Sequence, residues 1–186
     1  DSYGNRIQIT DGEENVTTTE YKACGGVDVY PRTIIQGSGH AERQETILDY
    51  SCATGLLASA SINEGSAPVT TTYDYDALGR LTAVHSPNDQ YGASVDTTYS
   101  YTVGPDERSV TTTSPGGVIT TEYFDQLWRP RQTHNQTTNV RVDTKYKTVT
   151  GADYTLVSNP YFLGQTPSGW TLSTQDKAGR VVQTES

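Results

Sequence analysis

Apolar and polar positions alternate in short runs along this chain. Val69, Thr71, Tyr73 and Tyr75 would point one way, with Thr70, Thr72, Asp74 and Asp76 opposite. Val140, Val142, Thr144, Tyr146 and Thr148 would share another face, against Arg141, Asp143, Lys145 and Lys147. A period of two is the mark of a half-buried strand. No stripe of helical spacing competes with it. Thr-rich runs ending in Tyr recur as VTTTEY (16–21), VTTTYDY (69–75), VDTTYSY (95–101) and ITTEY (119–123). The expected fold is all-β: a meander of antiparallel β-hairpins forming a twisted or coiled repeat sheet.

Turn chemistry divides these strands. A five-residue pattern, Asp-x-x-Gly followed by Arg or Asn, appears at 1–5 (DSYGN), 76–80 (DALGR) and 176–180 (DKAGR), with a degenerate copy at 125–129 (DQLWR). Asp accepts bonds from backbone N–H groups further along a turn, and Gly takes positive φ without a Cβ clash. Asp76, Gly79, Arg80, Asp176, Gly179 and Arg180 are thus expected turn residues, as are Asp125, Trp128 and Arg129. Trp128 occupies the Gly slot, where a left-handed backbone costs roughly 1–2 kcal/mol. A remodelled turn is expected there, with the indole packed on a neighbouring strand. Further tips are expected at 37–40, 63–68, 86–92, 104–107, 115–117 and 151–153. No break in composition marks a linker, so 1–186 reads as a single domain.

Composition sharpens this picture. Leu, Ile, Val and Phe together supply only 33 of 186 residues, and net charge is −9, a balance near that of disordered chains. The 13 Tyr and 30 Thr pull the other way, because both types suit pleated strands. An acidic chain is a poor partner for phosphate backbones, so nucleic acid is excluded. No run approaches the length of a membrane span, and no signal peptide heads the chain. The chain lacks Met and begins at Asp1, which reads as a piece of a longer protein.

The stretch TTTYDYDALGRLTAV, from Thr70 to Val84, resembles the YD repeat of rearrangement-hotspot (Rhs) proteins. Related repeats occur in the C components of Tc toxin complexes and in teneurins. DYSCATGLLASASINEG, from Asp49 to Gly65, is similar to the Thr-Gly-Leu unit that precedes it in such proteins, and YFDQLWRP and STQDKAGRVV look like weaker copies. The resemblance implies a ribbon of strand–turn–strand units that coils, in full-length relatives, into a hollow β-shell. That shell encloses a toxic domain in bacterial relatives and serves adhesion in teneurins. It also implies a secreted or cell-surface location. Thin hairpins must stack on their neighbours, and sheet edges invite pairing with further repeats or copies.

Candidate chemistry is sparse. Cys24 and Cys52 lack zinc-ligand spacing. A hairpin over 31–51 with its tip near Ser38 would pair residues summing to 76, which sets the two sulfurs opposite each other. They form either a disulfide, in keeping with an oxidising location, or two free thiols if Gly25 and Gly26 shift the register. His40, His85 and His134 read as turn or surface histidines. HExxH, GxSxG and P-loop signatures are missing, although a triad assembled from distant residues is invisible in sequence. Asp74 and Asp76 could bind calcium, but a turn cap at Asp76 with Asp74 facing solvent or a basic neighbour explains them more simply. Arg80, Arg129 and Arg180 are expected to reach carboxylates of adjacent hairpins. Asn15 and Asn135 open Asn-x-Thr sequons.

The functional expectation is therefore a non-catalytic, structural segment without cofactor or metal. Its partners would be neighbouring repeats, copies of itself, or an enclosed toxin domain. The rival is an adhesion module that recognises glycans through exposed Trp128, Trp170 and nearby Tyr.

Overall fold

The computed structural model describes residues 1–186 apart from 23, 25–28, 40–42, 65–66, 88–94 and 150–151. Sixteen strands are found among the described residues, and the chain divides into two compact units, Asp1–Thr97 and Thr98–Ser186.

The first unit holds β1 (Gln8–Thr10), β2 (Val16–Tyr21), β3 (Pro31–Gln36), β4 (Gln44–Tyr50), β5 (Leu57–Glu64), β6 (Ala67–Tyr75) and β7 (Leu81–His85). Each pairs antiparallel with the next in sequence. The second unit holds β8 (Thr97–Val103), β9 (Arg108–Ser114), β10 (Val118–Phe124), β11 (Pro130–Asn135), β12 (Val140–Val149), β13 (Ala152–Ser158), β14 (Tyr161–Phe162), β15 (Trp170–Gln175) and β16 (Val181–Glu185). Order again follows sequence, with one exception: β13 pairs with β15, while β14 pairs with the start of β12. The all-β antiparallel meander expected from the alternation is the observed fold.

Alternation in exposure follows the Tyr-bearing runs. In β8, Tyr99 and Tyr101 are half-buried between exposed Thr98, Ser100 and Thr102. Thr71, Tyr73 and Tyr75 are likewise half-buried in β6, while Thr72 and Asp74 are exposed. Val69 and Thr148 depart from the expected faces: both are exposed near the far ends of their strands. Asp153, expected in a tip, lies within β13. The expected tip residues His40, Gly65, Ser66, residues 88–92 and Gly151 lie outside the described residues.

Five hairpins share a bulge beside the turn. Their registers shift between Glu20 and Tyr21, Asp49 and Tyr50, Asp74 and Tyr75, Tyr123 and Phe124, and Thr174 and Gln175. In each case the returning strand carries the extra residue: Arg32, Ala58, Thr82, Arg131 or Val182. Such a bulge raises local twist. No repeat letter announces it.

Packing is shallow. Ala83, 8% exposed, is the one buried hydrophobic residue among those described. The other buried side chains are polar: Ser109, Thr121, His134 and Ser158. Hydroxyls satisfy one another across strands, as in Thr111 Oγ1 with Thr121 Oγ1 at 2.8 Å and Ser61 Oγ with Thr70 Oγ1 at 2.8 Å. The Thr-rich composition therefore supplies both strand propensity and lateral polar pairing.

Candidate functional site

The repeated feature with a defined side-chain geometry is the aspartate turn. In the 76–80 turn, the Asp76 N–H donates to Arg80 O at 2.9 Å and the Gly79 N–H to Asp76 O at 2.9 Å. Asp76 Oδ1 accepts from the Leu78 and Arg80 N–H groups at 2.9 and 3.0 Å. Asp76 Oδ2 accepts from Arg80 Nε at 2.7 Å, and Nη2 lies 2.7 Å from the same oxygen. The pattern repeats at Asp125–Arg129 and Asp176–Arg180, with Nε to Oδ2 distances of 2.8 and 2.9 Å.

The arginines thus close their own turns, where carboxylates of adjacent hairpins were expected as partners. The turn folds residue i+4 back beside residue i, so each guanidinium finds its own cap first. Arg129 additionally lies 4.3 Å from the Tyr146 ring.

Trp128 corrects a second expectation. The turn is not remodelled: Trp128 takes φ 60°, and its N–H reaches Asp125 O at 3.0 Å as Gly79 does in its own turn. The indole is 51% exposed, 5.7 Å from Phe124 and 5.5 Å from the Arg108 guanidinium. A fully satisfied aspartate network outweighs the left-handed cost of roughly 1–2 kcal/mol.

The same network reveals a turn that the sequence pattern hid. Asp11 Oδ1 accepts from the Glu13 and Asn15 N–H groups at 2.9 and 2.8 Å, and Asn15 Nδ2 donates to Asp11 Oδ2 at 3.0 Å. Glu14 sits in the glycine slot at φ 66°. Asn5 plays the same part for Asp1. The signal was available in the Asp-to-Asn spacing of four. Asp11, Asp76, Asp125 and Asp176 are all held below the ordinary 3.8. The largest cause is the side-chain amide of Asn15 for Asp11, and the backbone N–H of the following Arg for the others. A donated bond favours the charged carboxylate.

Cys24 and Cys52 form a disulfide, with Cα atoms 5.1 Å apart. The register behind that expectation was different. Thr33 pairs with Ile47 and Gln36 with Gln44, a sum of 80, so the bridge joins segments beyond the paired strands. Around it, Tyr30 and Tyr50 stack at 4.9 Å, Arg32 pairs with Asp49, and the Tyr30 hydroxyl packs against Gly55 at φ 74°.

Of the histidines, His40 lies outside the described residues. His134 is buried and held below 6.5, first by desolvation and then by the Arg141 charge. His85 lies between two carboxylates: Nε2 is 3.0 Å from Asp74 Oδ2 and Nδ1 is 3.1 Å from Asp96 Oδ2. Both ring nitrogens are thus engaged. Asp74 therefore faces a basic neighbour, apart from Asp76.

Among the described residues, no group of three His, Cys, Asp or Glu could hold a metal ion. No helix among them is long and apolar enough to cross a membrane. Trp128 and Trp170 lie in separate settings, the latter 4.2 Å from Lys145 Nζ. An open groove of about 380 Å³ is lined by Arg129, Tyr146, Lys147, Asp153 and Tyr154, among others. At the sequons, Asn15 is exposed and bonded within its turn, whereas Asn135 is half-buried and its Oδ1 accepts from the Thr138 N–H at 3.0 Å.

These features define an antiparallel repeat-sheet protein built on aspartate turns. Residues 50–91 match the family RHS Repeat. The matched stretch runs from the end of β4 through the 76–80 turn and β7. That family is one of structural repeats, typical of extracellular or cell-surface proteins. No curated protein matches the chain.

Proposed function

We propose that residues 1–186 form one stretch of YD-repeat domain in a secreted protein. It contributes wall to a β-shell, or a block to an extracellular assembly, and performs no catalysis of its own. The observation that supports this most is the shallow packing. Stable domains ordinarily bury one sheet face against a second layer. Here Ala83 alone is a buried hydrophobic among the described residues, and strand contacts run between sheet neighbours. Such faces gain cover when further repeats, or an enclosed domain, lie against them. The Cys24–Cys52 disulfide supports an oxidising compartment.

Electron microscopy of the native protein tests this reading. The expected result is residues 1–186 within a wall, with further strands hydrogen-bonded beyond β1 and β16. A native particle that leaves both edges in solvent would refute it.

Adhesion through glycans is a second reading, favoured by the half-exposed indole of Trp128 and by the groove holding Tyr146 and Tyr154. A glycan array probed with the chain decides it: binding that is lost in Trp128→Ala or Tyr154→Ala supports adhesion, and a blank array removes it.

A further inference from the structure

We infer that His85 closes a proton-dependent clamp at the base of the connection between β7 and β8. The backbone prepares the site. His85 pairs with Thr72, and Asp74 pairs with Ala83, so Asp74 is the diagonal cross-strand neighbour of His85 on the same face. Ala83 between them is small, and the imidazole and carboxylate meet beside it. Asp96 arrives from the other side, immediately ahead of β8. The connection 86–95 therefore leaves at His85 and returns to a residue held by the same ring.

The proton requirement follows from the atoms. Asp74 Oδ2 and Asp96 Oδ2 lie 3.0 and 3.1 Å from Nε2 and Nδ1. Ionised carboxylates only accept, and a neutral imidazole carries one N–H. The neutral ring would leave a nitrogen lone pair facing a carboxylate. The imidazolium satisfies both. Among the described residues, the other groups facing the ring do not compete: Ser59 and Thr72, on the row that β5 and β6 form beside His85, are uncharged. Asp76, the next acid along the chain, in the turn after β6, is engaged with Arg80. The two carboxylates, Asp74 first, accordingly raise His85 above 6.5.

The sign is that of a group gaining partners on folding. The clamp is fully formed below the ordinary histidine value and opens as pH rises through the folded value. Opening takes the cluster from one net negative charge to two, and removes the His85 tie to Asp96. A change from mildly acidic to alkaline surroundings thus loosens the entry to β8 while leaving the aspartate turns untouched.

Imidazole NMR on the full chain, from about pH 5 to 9, tests the clamp, together with amide exchange at 95–97 corrected for its intrinsic pH dependence. His85 should titrate above 6.5, with two slowly exchanging ring N–H protons on the acid side. Each unit of elevation corresponds to about a tenfold preference of the closed cluster for the protonated ring. Asp74→Asn and Asp96→Asn, both near-isosteric, should each lower the midpoint. Protection at 95–97 should fall through that midpoint, and His85→Gln should flatten the profile. A midpoint at or below 6.5 overturns the clamp. So does one that answers to a single aspartate, or an exchange profile unchanged in His85→Gln.

Discussion

Replacing both cysteines, as Cys24→Ser with Cys52→Ser, removes the one covalent tie between the β2–β3 and β4–β5 connections. The bridge spans a sequence separation of 28 and encloses all of β3 and β4. Chain-entropy scaling for a loop of that size gives about 3.6 kcal/mol at 25 °C. That is a large share of the roughly 5–15 kcal/mol available to an ordinary domain, and here the share is larger because apolar burial is slight. Urea unfolding followed by tyrosine fluorescence measures it. For a slope of roughly 1–3 kcal/mol/M, the midpoint should fall by about 1–4 M. Reduced wild type should fall by the same amount, since both manipulations free the same loop. Equal midpoints for the oxidised, reduced and double-serine proteins would refute the reasoning. Two free thiols in the native protein, counted by alkylation and mass measurement, would do so at its root.

Three further outcomes follow from local geometry. Gly55→Ala should destabilise by more than Gly116→Ala in urea titrations: both sit at positive φ, costing about 1–2 kcal/mol, but only at Gly55 does the new Cβ collide with Tyr30. Equal losses would show that the Tyr30 contact is unimportant. Trp128→Gly should be more stable than Trp128→Ala by roughly 1 kcal/mol, because both lose the ring and only alanine keeps the left-handed penalty; the reverse order in thermal unfolding would contradict the φ 60° turn. The carboxyls of Asp11, Asp76, Asp125 and Asp176 should titrate below 3.8 in ¹³C NMR. Their folded values are depressed, so their contribution is present above the ordinary carboxylate value and disappears as pH falls through the folded one. Titration at or above 3.8 would show the turns open in solution.

Much of the fold was legible because strand period and turn chemistry are local. Tyr99, Tyr101, Tyr73 and Tyr75 declare their face two residues at a time, and Asp76 and Asp176 declare their turns within five. What escaped was set by partners far along the chain. The arginines were expected to bridge hairpins, since sequence does not show that the backbone returns i+4 to i. Cys24 and Cys52 were paired through a register sum of 76, whereas the ladder runs at 80; the bridge forms all the same, outside the ladder. The bulges at Arg32, Ala58, Thr82, Arg131 and Val182 have no common side chain, so the bulged residue itself does not announce them. His85 was read as a surface residue because its second partner, Asp96, lies across the connection, just ahead of β8.

The turns also change what should count as the repeat. Glycine first appears to define the pattern, yet Glu14 and Trp128 occupy its slot with φ 66° and 60° while the hydrogen bonds stay the same. What all five turns share is an aspartate whose Oδ1 receives two backbone N–H groups and whose Oδ2 receives the side chain at i+4, Arg or Asn. Each charge-assisted bond is among the stronger kinds available, and together they offset a left-handed Glu14 or Trp128. Glycine lowers the cost of the turn; aspartate specifies it. In the three arginine turns the bulge then falls two residues after the arginine, at Thr82, Arg131 and Val182, so cap, ion pair and added twist recur as one unit. A substitution of the aspartate should therefore loosen both the turn and the bulge beyond it, whereas a substitution at the glycine slot should alter stability and leave the register intact.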